Sequence, residues 1–267
     1  MKKLLVVLFA AAALAVPRAQ AQDSQMFNHL GLGVTVGLMD GFGIDAVLPM
    51  GPKFQIRAGY AIDPISVPLS DMDFGTYTSG SKTVNLNDIP LSVSTWKSGN
   101  GHLMFDFYPS STGGFHISAG AFINNGKFVS VAADASKVLD KADWGTLAIG
   151  PDGGSFKVST DGNGVINMDV KTWAVMPYIG LGFGRALNPE KTFNFVFDMG
   201  LFVWGSPTVQ SYDYTDHYFN ESKPVKTVVL DGASMKSVTA QGAEILDLVS
   251  SIPVCPYMRF GFYFKLF

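Results

Sequence analysis

A single cysteine, Cys255, stands among 267 residues, so no disulfide within the chain can hold this fold. Charge is scarce as well: acidic and basic residues make up 15% of the chain, with 19 lysines and arginines against 22 aspartates and glutamates. That balance leaves no basic footprint for nucleic acid. Past the first residues, nowhere do roughly 18 apolar residues run unbroken, as a membrane-spanning helix requires. What the chain does have is 29 glycines and 13% aromatic residues, an unusual mixture for a soluble enzyme. If such a chain enters a membrane, it does so as strands.

The N-terminus has the order of an export signal. Lys2 and Lys3 precede an apolar stretch from Leu4 to Val16, and Ala19-Gln20-Ala21 forms an A-x-A cleavage site. Residues 1–21 are read as a signal peptide and residues 22–267 as one domain, because no composition shift marks a boundary. No cysteine follows the cleavage site, so no lipoprotein anchor is indicated.

Period-2 alternation recurs along the mature chain with one sense. Leu30, Leu32, Val34 and Val36 alternate with Gly31, Gly33 and Thr35, and Phe42, Ile44, Ala46 and Leu48 with Gly43 and Asp45. Phe54, Ile56, Ala58, Tyr60 and Ile62 alternate with Gln55, Arg57 and Gly59. Leu103, Phe105 and Phe107 alternate with Met104, Asp106 and Tyr108, and Phe115, Ile117, Ala119 and Ala121 with His116, Ser118 and Gly120. Further along, Val175 to Phe183 and Phe193 to Leu201 repeat the pattern, and so does the C-terminal run, with Met258, Phe260, Phe262 and Phe264 opposite Arg259, Gly261, Tyr263 and Lys265. This makes about eight strands of a length that crosses a bilayer at a tilt.

The connections alternate too. Short turns at 49–53, 109–114 and 188–191 join one set of strand ends, whereas the other set carries one tight turn at 37–41 and long segments at 63–100, 124–170 and 205–255. Short turns on one rim and long loops on the other are the asymmetry of an outer-membrane barrel, with both termini on the short-turn, periplasmic side. In lipid every backbone polar group must be satisfied within the protein, so strands span only as a closed barrel. The phenylalanine face meets acyl chains and the opposite face meets the lumen. The fold class is therefore all-β: an up-and-down antiparallel transmembrane barrel of about eight strands with long extracellular loops, parts of which continue the strands as hairpins. Side chains fill the interior of a barrel this narrow. Asp45, Asp106 and Asp198 are expected to pair there with Arg57 and Arg259, with His116 in the same polar network, because an unpaired buried charge costs several kcal/mol. The inward glycines are expected to make room for the two arginines.

Several stretches resemble an uncharacterised family of Gram-negative outer-membrane β-barrel proteins, broadly similar to the small outer membrane protein A and W type barrels. They are GGFHISAGAFINNGKFVSVAA at 113–133, VMPYIGLGFGRAL at 175–187, FNFVFDMGLFVWGSPTV at 193–209 and the closing IPVCPYMRFGFYFKLF. The resemblance covers the C-terminal half well and the 63–100 segment poorly. It implies an integral outer-membrane barrel inserted by the outer-membrane insertion machinery, and lends Ala240–Ser251 a short helical reading before the last strand. It implies no activity. The terminus departs from the usual signature, since Phe260, Phe262 and Phe264 are in phase with Leu266 rather than with Phe267.

Other motifs have bland readings. His116 and Ser118 share a strand face, and a similar His-x-Ser pair serves lipid A deacylases, but here the alternation turns both into the lumen as hydrogen-bonding groups. Asp213, Asp216, His217 and Glu221 meet no fixed ligand spacing and read as a solvated loop tip, and Asp161-Gly162-Asn163-Gly164 reads as a tight hairpin turn rather than a calcium loop. No metal or other cofactor is expected. Tyr212, Tyr214, Tyr218 and Phe219 form an aromatic cluster in the last long loop, with Trp144 and Phe156 in the preceding one. These are candidate contact anchors, or they pack the loops on each other. Trp96, Tyr108, Trp173 and Trp204 are expected at the interfacial belts. The functional expectation is a non-enzymatic surface protein, anchored by its barrel, whose loops contact an unknown extracellular ligand or the lipopolysaccharide layer. The alternatives are a narrow conduit for small hydrophobic molecules and a lipid-modifying enzyme.

Overall fold

The computed structural model describes residues 28–69, 76–79, 82–146, 148–149, 158–188, 190–230, 243–244, 247–248 and 251–266. The expected signal peptide, Phe156 and Phe267 lie outside them. Eight strands close into one antiparallel barrel: β1 (Gly31–Gly37), β2 (Gly41–Pro49), β3 (Phe54–Ile62), β4 (Asn100–Phe107), β5 (His116–Ile123), β6 (Val175–Phe183), β7 (Phe193–Val203) and β8 (Val254–Lys265). Each strand pairs with its sequence neighbours, and β1 closes on β8 from Gly31 opposite Lys265 to Gly37 opposite Arg259. This leaves no edge in the membrane-spanning wall.

The phase of the alternation decides which side chains meet lipid. On β8, Phe262 is 37% exposed and Tyr263 is 0% exposed. On the outer wall Phe193, Phe195 and Phe197 of β7 stand beside Phe264, Phe262 and Phe260 of β8, with ring centroids 5.0 to 6.2 Å apart. In water such an apolar band would be an aggregation surface. In a bilayer it is the face that the acyl chains solvate.

The long loops fold into more than hairpins. Val67–Leu69, Leu91–Thr95, Lys127–Asp134, Val165–Lys171, Thr208–Asp213 and Lys226–Leu230 form a six-stranded antiparallel sheet. Its order follows that of the wall below, because five of its six strands precede or follow β3 to β7 in the chain. We call this sheet the crown. Hydrogen bonds such as Asn124 N to Ala174 O and Thr172 N to Gly126 O carry the pairing across the junction. One crown face is apolar: Ala133, Ile166, Val170, Val209 and Leu230 pack with Ile89, Ala135, Leu139 and Val158 from the segments beside it. Val129 packs against both this core and the aromatic cluster of the upper barrel, so the two parts share contacts. Of the stretch 240–251, the described residues 243–244 and 247–248 are helical, as is Ser251. A further one-turn helix, Thr215–Phe219, lies between the last two crown strands.

Candidate functional site

Two places gather polar chemistry: the barrel lumen and the outer face of the crown. The lumen is layered. At mid-height Arg57 of β3 donates through Nε and Nη2 to Asp106 of β4 at 2.6 and 2.8 Å, and through Nη1 and Nη2 to Asp198 of β7 at 2.6 and 2.9 Å. Ser118 Oγ donates to Asp106 at 2.6 Å, and His116 Nε2 lies 2.9 Å from Asp198. Arg259 lies 3.4 Å from Asp45 and 3.6 Å from Asp198. The six residues expected to form the lumen network, Asp45, Arg57, Asp106, His116, Asp198 and Arg259, are therefore all buried and linked into one cluster.

His102 and the Asp40–Tyr257 pair lie outside the sequence reading, whereas Tyr263 stands on the lumen face which that reading gave it. His102 Nε2 sits between Arg259 Nη1, at 2.8 Å, and Asp45 Oδ1, at 2.9 Å, so it either accepts from the arginine or donates to the carboxylate. Tyr263 Oη donates to Asp45 at 2.7 Å, and Tyr257 Oη donates to Asp40, in the tight turn after β1, at 2.6 Å. Extending the β4 alternation one step back from Leu103 would have placed His102 inside. The glycines also serve other neighbours than expected. Added Cβ atoms at Gly33 and Gly182 would strike the ring of Tyr263 and the imidazole of His116 respectively. Gly33, Gly180, Gly182 and Gly261 thus make room for rings, and Gly31, Gly43 and Gly120 for other neighbours, whereas the sequence reading gave that space to the arginines.

Both ends of this layer are closed. Above it Trp96, Phe122, Phe128, Phe202, Tyr178 and Tyr257 form a buried aromatic cluster; Trp96 contacts Phe122, Phe128 and Phe202 with ring centroids 5.1 to 5.5 Å apart. Below it the turn after β6 folds inward, burying Ala186 and Leu187 against Val47, Val196 and Tyr263. Gln55 holds that turn, donating to Leu187 O at 2.5 Å and accepting from Leu187 N at 3.2 Å. Arg185 ties the short turns of the lower rim together, donating to Pro52 O and Ser110 O at 2.9 and 3.0 Å, and its guanidinium lies 4.0 Å from the ring centroid of Tyr108. This corrects the expectation for Trp96 and Tyr108. Both are 0% exposed inside the barrel rather than in the interfacial belts. Trp173 is exposed and Trp204 half-buried at the upper rim, where Trp204 Nε1 donates to Ile252 O.

On the crown, the face opposite its apolar core is short and hydroxylated. Ser92, Ser94, Ser130 and Ala132 line a groove of about 500 Å³, with Asn167, Asp169, Tyr212 and Tyr214 beside them and Lys97 and Lys127 at its margin. Asp169 accepts from Ser130 Oγ at 2.7 Å, from Tyr212 Oη, and from Lys127 Nζ at 2.6 Å. Burial pushes the Asp169 carboxyl up, but these donors outweigh burial and hold it below the usual carboxylate value. Burial, with the bond to Asp169, raises the Tyr212 phenol.

Of the four aromatic contact candidates, Tyr212 and Tyr214 line this groove, while Tyr218 and Phe219 stand exposed on the one-turn helix. Trp144 packs against the crown core. The acidic loop residues do not converge: Asp216 pairs with Lys226, His217 Nδ1 hydrogen-bonds Lys223 O, and Asp213 accepts from Thr215 N. Among the described residues no group of three or more His, Cys, Asp or Glu side chains is placed to hold a metal ion. Asp161 Oδ1 accepts from Asn163 N and Val165 N, which makes 161–165 a closed hairpin turn.

No family model matches the chain, and no curated protein does. Among the solved structures that resemble it are CarO2 of Acinetobacter baumannii, with 15% identity over 90% of this chain and 99% of that one and a TM-score of 0.48; CarO of the same organism, with 16%, 88%, 96% and 0.45; and a major outer membrane protein from Thermus thermophilus, with 11%, 89%, 98% and 0.41. The closed ladder, the apolar outer band and the polar interior make this chain, on its own evidence, an integral outer-membrane β-barrel.

Proposed function

We propose that the protein is a non-enzymatic surface anchor, whose barrel fixes a folded crown for contact with molecules at the cell surface, including the lipopolysaccharide of its own leaflet. The observation that carries this reading is the three-layer filling of the lumen: the aromatic cluster above, the charge network at mid-height and the inward turn at Leu187 below. A conduit would need a path past Arg57 and Arg259, and both side chains are 1% exposed and held by carboxylates. An enzyme of the His-x-Ser type would need a hydroxyl and an imidazole free to react beside lipid. Ser118 donates its proton to Asp106 and His116 faces Asp198, with both residues 0% exposed.

The test is conduction. The purified wild-type protein in planar bilayers is expected to give no steady ion current. Large, stable channels would overturn the anchor reading and favour the conduit.

A further inference from the structure

The polar face of the crown is uneven: its charged side chains Lys97, Lys127 and Asp169 stand beside a row of short ones. Its floor is made of Ser92, Ser94, Ser130 and Ala132, on neighbouring strands, so the surface dips between the longer side chains of Tyr212 and Lys127. The hydroxyls of that floor are held to different degrees. Ser92 Oγ donates to Ala132 O and Ser94 Oγ to Ser130 O, long bonds of 3.4 and 3.5 Å, and Ser130 Oγ donates to Asp169. A serine has one proton to give and two lone pairs, so Ser130 turns lone pairs outward, while Ser92 and Ser94, with only long bonds to exchange, can accept or donate. The Asp169 carboxylate, 5% exposed, adds further acceptors, and its charge is offset by Lys127.

The mixture narrows the ligand class. A phosphate or a carboxylate brings only acceptors, and of the two lysines that line the groove Lys127 is already paired with Asp169, which leaves Lys97 and no arginine fork to hold an anion. An acyl chain would leave the remaining lone pairs of the serines desolvated, at a cost for each. A polyol brings a donor on every carbon that carries a hydroxyl, and the phenol rings of Tyr212 and Tyr214 offer flat faces at the side. A volume of about 500 Å³ falls in the range of sites that enclose small ligands.

We infer that this groove is a saccharide-binding site, in which sugar hydroxyls donate to the serine floor and to Asp169. The inference rests on the reading that the crown faces the outside of the cell. Two sources carry that chemistry, the core sugars of lipopolysaccharide and free glycans.

The experiment uses the full-length barrel folded in a detergent without sugar groups, with binding followed by saturation-transfer NMR. The probes are lipid-free core oligosaccharide from lipopolysaccharide, maltotetraose, and inorganic phosphate as competitor. Saturation transfer to at least one oligosaccharide is expected, with no displacement by phosphate. Transfer to the core oligosaccharide alone would support lipopolysaccharide as the source, and transfer to both would support glycans in general. Ala132→Phe fills the floor without removing a hydrogen-bonding group of the groove, and is expected to weaken binding at least tenfold while heat-modifiable migration and protease resistance of the crown stay as in wild type. Ser66→Trp, at an exposed position on the groove margin, gives the same block if Ala132→Phe disturbs the crown. Binding of neither oligosaccharide to an intact crown, displacement by phosphate, or wild-type affinity in both variants would overturn the inference. A barrel that conducts yet binds saccharide would refute the anchor reading and leave this one standing. A silent barrel that binds none would refute this one alone.

Discussion

Replacing Arg57 by leucine tests whether the lumen is a dry, paired interior. The guanidinium holds two carboxylates at once, with four donor contacts of 2.6 to 2.9 Å to Asp106 and Asp198, and all three residues are at most 2% exposed. The two acids are left in different positions by its loss. Asp198 keeps His116 at 2.9 Å and Arg259 at 3.6 Å, whereas Asp106 keeps only the Ser118 hydroxyl at 2.6 Å. Breaking a buried ion pair from one side costs about 3–5 kcal/mol, which is roughly two to four powers of ten in the folding equilibrium. Urea titration of the refolded barrel, read by heat-modifiable gel migration, is expected to show that loss as a lower midpoint. Adding Asp106→Leu removes the stranded carboxylate, so the double variant is expected to recover part of the stability, a coupling that the double-mutant cycle measures. If Arg57→Leu unfolds at the wild-type midpoint, the carboxylates are hydrated without it and the sealed, paired lumen is wrong.

Further outcomes follow from the same structure. Phe262→Arg sets a charge on the lipid face of β8 and is expected to cost about 2–4 kcal/mol of folded barrel near the bilayer midplane; refolding yields equal to wild type would show that this face does not meet lipid. Because hydrogen bonds hold the Asp169 carboxyl below its usual value, that residue stabilises the crown above the unfolded carboxylate pKa of about 3.9, and the contribution is lost as pH falls through the lower folded value. Proteolysis of the crown is expected to accelerate on acidification in wild type and to change less with pH in Asp169→Asn; identical pH profiles would contradict the role given to Asp169. An epitope tag at Glu221 is expected to label on intact cells and one at Ser111 only after permeabilisation, with surface labelling at Ser111 inverting the topology.

The local sequence set the strands and their facing, because the side-chain period of a strand is fixed at two and a bilayer tolerates error on only one face. Phe260, Phe262 and Phe264 on one side of β8 and Arg259 on the other required no knowledge of neighbours. Partners required the closed ladder, since Arg57 meets Asp198 across 141 positions of chain, and only the register of eight strands brings those two to one height. Trp96 shows the same limit and Tyr108 does not. Tyr108 continues the inward set of Met104 and Asp106, so the alternation gave its facing and the belt reading overrode it, whereas Trp96 lies in a long loop segment, outside every alternation of the wall, and its burial depends on Phe122, Phe128 and Phe202 being brought around it. The crown was the least legible part. Its strands are short and polar on one face, its residues come from three long segments, and its apolar core exists only once Ala133, Ile166, Val170, Val209 and Leu230 are laid side by side above a barrel that has already closed.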